Sequence, residues 1–148
     1  MATYQYTQSG LDNVFLDGIE PDVDDMGETC VRIPAVRQLH RLIATGIVEH
    51  GAAILPAELR FLRAELGMTQ AELAAIVRVD AQTVGRWERG ETPIQEVAEI
   101  VVRRLAIEKL GLPVTLTIEE LARRTTASAR SQPLMIDART PPHYRLAA

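Results

Sequence analysis

The sequence contains few of the residues that build metal and redox sites. It has one cysteine, Cys30, in 148 residues, which excludes an internal disulfide and a multi-cysteine zinc site. Its three histidines are widely separated, and His40 and His50 are ten positions apart, too far to share a metal on one helical turn. We therefore predict no metal and no cofactor.

Long apolar runs and catalytic motifs are also missing. No stretch approaches the roughly 20 apolar residues that a membrane-spanning helix needs, and the N-terminus MATYQYTQSG lacks the basic and apolar regions of a secretion signal. The sequence shows no nucleophile elbow, no phosphate loop and no clustered acid-base pair. We expect a cytoplasmic protein without a membrane partner, and not an enzyme.

Basic residues are absent from the first 30 positions, which carry seven acids. The remaining chain then has sixteen basic against thirteen acidic residues, although the whole protein has a formal charge of −4. Because charges are screened beyond about 10 Å, the local sign matters more than the total. The acidic N-terminal segment suits a basic protein partner, whereas the rest of the chain is compatible with DNA.

Residues 66–90, LGMTQAELAAIVRVDAQTVGRWERG, predict two short helices joined by a tight turn. Thr69 and Glu72 have the spacing of a capping box at the start of the first helix. Asp80 is a suitable N-cap for the second helix, on which Val84 and Trp87 lie three apart and face inward. Gly90 can adopt the left-handed conformation that ends a helix.

This pattern resembles the helix-turn-helix of the lambda-repressor-like (Cro/cI, or Xre) family, beginning near residue 55. The resemblance implies base-reading positions at Ala81, Gln82, Gly85 and Arg86, and phosphate-binding positions at Thr69, Gln70, Thr83 and Arg89. It also implies that Arg63 pairs with Glu88. Independently of the family, glutamine can bind adenine bidentately and arginine can bind guanine. The alternative is a helix pair in an ordinary bundle, with Gln82 and Arg86 merely solvated.

The rest of the chain predicts an α+β fold that is mainly α. Residues 1–34 indicate a small antiparallel sheet with an acidic loop at 20–28, held together by Tyr4, Tyr6, Val14, Leu16 and Val31. Residues 35–54 predict a connecting amphipathic helix, with Val36, Leu39, Ile43 and Ile47 on its apolar side. Residues 55–112 form the helix-turn-helix bundle, ending in a long helix at 94–110. Residues 113–148 predict a short helix capped by Thr117 and then a mobile tail, in which LMID could add a strand.

The apolar band of the helix at 94–110 is broader than one small domain usually needs. It either closes the helical core or pairs with a second copy of the chain.

Residues 4–20 have the pattern Y-x-Y-x-x-S-G-L-D-N-V-F-L-D-G-I-E. This pattern, followed by a helix and then the helix-turn-helix, is similar to the MqsA/YgiT-like antitoxin and transcriptional-regulator family. That resemblance implies a module that contacts a toxin and a dimeric domain that binds a palindromic operator, although Cys30 alone remains of the zinc-binding cysteines. The predicted function is a sequence-specific DNA-binding repressor, antitoxin-like and dimeric on double-stranded operator DNA. The alternative is a protein-interaction module, or a toxin-neutralising protein, whose helix-turn-helix is only structural.

Overall fold

The computed structural model describes residues 3–19, 22, 23, 25–27, 29, 30, 33–124, 133–139, 141 and 143–147, with only the backbone at 22, 23, 29 and 30. In chain order the elements are β1 (Thr3–Gln5), β2 (Val14–Asp17), β3 (Asp22–Val23), β4 (Thr29–Cys30), α1 (Val36–Glu49), α2 (Pro56–Glu65), α3 (Gln70–Val77), α4 (Ala81–Glu88), α5 (Glu96–Leu110), α6 (Ile118–Arg123), β5 (Leu134–Asp137) and β6 (Arg145–Leu146). The chain divides into two compact units, Met1–Ile43 with Gln132–Ala148, and Ala44–Ser131. The fold is mainly α with a β module, as predicted.

The first unit is built around a four-stranded sheet in the order β1-β2-β5-β6. β1 and β2 form the predicted antiparallel hairpin, with Tyr4 opposite Leu16. β5 then lies parallel to β2 and places Ile136 opposite Leu16, and β6 returns antiparallel to β5. Two of the four strands therefore come from the C-terminal end of the chain.

This arrangement corrects two expectations about the ends of the chain. The segment 20–28, predicted as an acidic loop, contains β3, which pairs with β4 in a separate two-stranded sheet. The segment predicted as a mobile tail supplies β5, whose Leu134 and Ile136 are buried. The short alternation of LMID gives β5 an apolar face that packs once β2 offers it a hydrogen-bonding edge.

Packing in the first unit follows the predicted residues in part. Tyr6, Val14 and Leu16 are buried, whereas Tyr4 is partly exposed and Val31 lies outside the described residues. The Tyr6 hydroxyl lies 2.8 Å from Nε2 of His40 on α1. Val36 is 43% exposed, so it does not join the core with Leu39.

Charged side chains of the C-terminal strands lie close together in the first unit. Two N–H groups of Arg139 donate to the carboxylate of Asp137 at 2.9 and 2.8 Å. These bonds lower the pKa of Asp137 to about 2. Arg139, just after β5, and Arg145 of β6 thus add positive charge to a unit whose first 30 residues have seven acidic and no basic side chains.

The second unit is a bundle of α2 to α6 with the end of α1. Its buried apolar residues include Leu59, Leu62, Leu73, Val84 and Trp87, and Phe61, which the sequence pattern had not singled out. α5 begins at Glu96, two residues later than predicted. The apolar band predicted for this helix is only partly buried: Ala98 and Val102 lie in the core, whereas Val97 is 72% exposed.

A buried arginine on α5 connects several chain segments of this bundle. Arg103 is fully buried, and its guanidinium donates to the carbonyl oxygens of Val48, His50, Ala52 and Arg124 at 2.6 to 3.2 Å. It also lies 3.5 Å from the carboxylate of Glu99, which accepts the backbone N–H of Ile54 at 2.8 Å. Burial raises the pKa of Glu99 and lowers the pKa of Arg103. Desolvation is the largest cause of both shifts, so burial disfavours each charge more than its partner stabilises it.

We expect Arg103→Met to reduce the free energy of unfolding by about 3–5 kcal/mol, because it leaves Glu99 as an uncompensated buried charge and removes donors from four carbonyls. Chemical denaturation monitored by circular dichroism measures the change. Arg104→Met is the matched control, since the neighbouring side chain is exposed and pairs with Glu108 on the surface. Equal losses in the two variants would contradict this role of Arg103.

Candidate nucleic-acid interface

The N-terminus of α3 is fixed by a reciprocal capping box. The Oγ1 atom of Thr69 accepts the N–H of Glu72 at 3.1 Å, and the Glu72 carboxylate accepts the N–H of Thr69 at 3.1 Å. Thr69 is exposed and Gln70 is half-buried. The capping box predicted from the sequence is confirmed, and it leaves the positive end of the α3 dipole at the surface.

The turn between α3 and α4 depends on the backbone conformation of its first residue, which the sequence did not predict. Arg78 ends α3 in the left-handed conformation, with φ 64° and ψ 45°. This backbone carries a steric cost for any residue with a Cβ atom. Asp80 occupies the N-cap position of α4, but its side chain makes no capping hydrogen bond, contrary to expectation. Its carbonyl instead accepts the N–H groups of Thr83 and Val84.

The inward side of α4 determines which residues it presents to the surface. Val84 and Trp87 are buried, as their spacing predicts. Gln82 and Arg86, one helical turn apart, are exposed. Ala81 and Thr83 are half-buried at the start of the helix. A partner that approaches this surface meets an amide and a guanidinium together, the two side-chain groups that read adenine and guanine most often.

Arg63 of α2 and Glu88 of α4 form a bidentate salt bridge, with N–O distances of 2.6 and 2.9 Å. The same guanidinium donates to the carbonyl of Met68 at 3.0 Å. The hydrogen bond to Glu88 raises the pKa of Arg63. Glu88 also accepts from Nε2 of Gln70 at 3.2 Å. One carboxylate thus connects α2, the start of α3 and the end of α4.

Gly85 does not face outward as the sequence reading expected; it is buried. A Cβ built on Gly85 would lie 3.0 Å from Nη1 of Arg89 and 3.4 Å from Oε1 of Gln70. The glycine therefore leaves room for these two side chains, both predicted to bind phosphate, to converge over the middle of α4. The outward orientation predicted for Gly85 is wrong, and the atoms nearest to the built Cβ belong to the ends of flexible side chains.

Arg89 follows α4 and pairs with a carboxylate that the sequence reading did not identify. Its Nε and Nη2 atoms donate to the two oxygens of Glu91 at 3.2 and 3.1 Å. The pairing depends on the turn at Gly90, which has φ +73°. A charge pattern alone does not place positions i and i+2 side by side, so this contact could not be read from the spacing.

Residues 59–112 match the family model described as Helix-turn-helix. This segment is a lambda-repressor-like helix-turn-helix domain. The match runs from within α2 to the residues just after α5, and α3 and α4 form its helix-turn-helix. No curated protein and no solved structure matches the chain.

The described part of the chain offers neither a metal site nor a membrane-spanning helix. Within it, no group of three or more His, Cys, Asp or Glu side chains is placed to hold a metal ion. No helix among the same residues is long and apolar enough to cross a membrane.

We expect Gly85→Ala to stabilise the helix-turn-helix domain by about 0.5–1 kcal/mol, because alanine is favoured over glycine inside a helix. The nearest obstacle is the end of the Arg89 side chain, which is 59% exposed and can move aside. Thermal unfolding measures the effect. Gly67→Ala is the control, since Gly67 has φ +68° and its substitution introduces strain. A loss of stability in Gly85→Ala would show that the α3 and α4 contact cannot accommodate a methyl group.

Proposed function

We propose that the protein is a sequence-specific transcriptional repressor that inserts α4 into the DNA major groove. The proposal rests on one observation: Gln82 and Arg86 are both exposed, one helical turn apart, on the second helix of the helix-turn-helix. Both side chains are long enough to reach base edges and have the donors that bidentate readout requires.

The phosphate contacts are proposed to lie on either side of this helix. Gln70 and the N–H groups of the first turn of α3 suit one phosphate, because a helix N-terminus attracts anions. The Thr69 hydroxyl accepts the capping hydrogen bond and keeps its own hydrogen for donation. Thr83 and Arg89 complete the set proposed from the sequence. These residues orient the domain, and the base contacts determine the preferred sequence.

Arg86→Ala is expected to cost about 1–3 kcal/mol on the preferred site and to relax discrimination at one base pair. Gln70→Ala should weaken operator and random duplex by a similar factor. Titrations at one fixed salt concentration measure both, since affinity changes steeply with ionic strength. Arg60→Ala is the control, because it removes the same charge from an exposed residue of α2. If Arg86→Ala weakened all duplexes equally, α4 would not be the reading helix.

We further propose that two copies bind a palindromic operator through contacts between their α5 helices. Val97 and Ile118 are 72% and 66% exposed. Ile118 lines an open groove of about 190 Å³, together with Ile100, Val101, Arg104, Leu105 and Glu108. Val97 lies one helical turn before Val101, on the same side of α5. We call this surface the α5–α6 groove.

A second copy is a suitable occupant because the groove contains both members of an ion pair. Nε of Arg104 lies 3.2 Å from the carboxylate of Glu108 within one chain. Under twofold symmetry the same residues can pair across the interface while the apolar side chains pack together. A dimer also places two recognition helices about one DNA turn, ~34 Å, apart, which a single short helix needs for affinity.

Val97→Glu or Ile118→Glu should convert the dimer to a monomer and weaken operator binding, because each buries a charge in the proposed apolar contact. Light scattering at micromolar concentration gives the oligomeric state. Val36→Glu is the control, being an exposed residue outside the groove. A wild-type protein that is monomeric at this concentration would remove the dimer proposal.

The antitoxin-like role is a finer proposal that rests on the seven acids in residues 1–30. Such a segment suits a basic protein such as a toxin. The same unit also contains Arg139 and Arg145, however, and Asp137 is already paired with Arg139. The acidic character of this surface is therefore weaker than the sequence suggested. DNA regulation is the function that the described residues support best.

A further inference from the structure

The bond between Arg89 and Glu91 has the geometry of an arginine bound to a phosphate. The Nε and Nη2 atoms of Arg89 lie 3.2 and 3.1 Å from two oxygens of one anion. A guanidinium makes the same two-point contact with a phosphate group. The side chains remain 59% and 54% exposed, so an incoming anion can reach the guanidinium from solvent.

The backbone fixes where Glu91 lies. The N–H of Gly90 donates to the carbonyl of Trp87 at 3.1 Å, and the N–H of Glu91 donates to the carbonyl of Arg86 at 2.9 Å. Together with the positive φ of Gly90, these bonds form a complete Schellman motif at the end of α4. The carboxylate is therefore attached directly to the end of the recognition helix.

Glu91 is held ionised by arginines that we propose to contact DNA. Hydrogen bonding to Arg89, with the charges of Arg89 and Arg86, lowers the pKa of Glu91. Arg86 is a proposed base contact, and Arg89 converges with Gln70 over Gly85, where both are proposed to bind phosphate. A negative charge at this place competes with the phosphate backbone.

We propose that Glu91 is an internal competitor for DNA phosphate at Arg89 and that it sets the sequence-independent part of the affinity. The inference rests on the proposed DNA-binding function. Before Arg89 binds a phosphate, any duplex must displace the carboxylate, and this cost is the same for every base sequence. Glu91 thus lowers operator and random affinity alike and reduces the salt dependence of binding.

The experiment compares wild type, Glu91→Gln, Arg89→Ala and the double variant in the full chain. Each is titrated with operator and random duplex between 50 and 200 mM salt. Glutamine retains the backbone N–H of the Schellman motif, and thermal unfolding verifies that each variant folds. Glu96→Gln is the matched control, because it removes the same charge from an exposed residue in the first turn of α5.

Glu91→Gln is expected to raise affinity for both duplexes by a similar factor, about three- to ten-fold, and to steepen the salt dependence by about one released counterion. In the Arg89→Ala background the gain should fall to that of Glu96→Gln. A Glu91→Gln gain that persists without Arg89, or that equals the control, overturns the competitor role while leaving DNA binding intact. If none of the proteins binds any duplex, the proposed function itself is overturned and the inference with it.

Discussion

The helical unit depends on the buried guanidinium of Arg103. Its hydrogen bonds satisfy carbonyl oxygens at the end of α1, in the connection to α2 and at the end of α6. These carbonyls belong to helix ends and a connecting segment, where the backbone cannot satisfy itself. One charged side chain on α5 therefore binds two separate chain segments, residues 48–52 and Arg124. Glu99 adds the N–H of Ile54 to the same cluster.

A second hydrogen-bond network, centred on one carboxylate, fixes the position of α4. Glu88 binds Arg63 and Gln70, and the side chain of Gln70 passes close to Gly85 of α4. Gln70 thus has two roles, since it links α3 to α4 and is also proposed to contact phosphate. A shift of the Gln70 amide toward DNA would be transmitted to Glu88 and hence to the end of α4. Positioning and binding share the same side chain at this point.

The sequence predicted most of what depends on neighbours along the chain. The capping box of Thr69 and Glu72 and the inward Val84 and Trp87 follow from periodicities of a few residues. The burial of Gly85 and the left-handed Arg78 were missed because they depend on how two helices cross. The parallel pairing of β5 with β2 was missed because it joins distant segments, and alternation in a four-residue strand does not name its partner.

The pairing of β5 with β2 also affects when each unit can form during synthesis. The helical unit is continuous in sequence, from residue 44 to residue 131, so its contacts become available as the chain emerges. The hairpin of β1 and β2 is made before the helical unit, but its parallel neighbour β5 is made after it. A two-stranded hairpin alone is only marginally stable. The sheet must therefore be completed after the helix-turn-helix domain can already have folded.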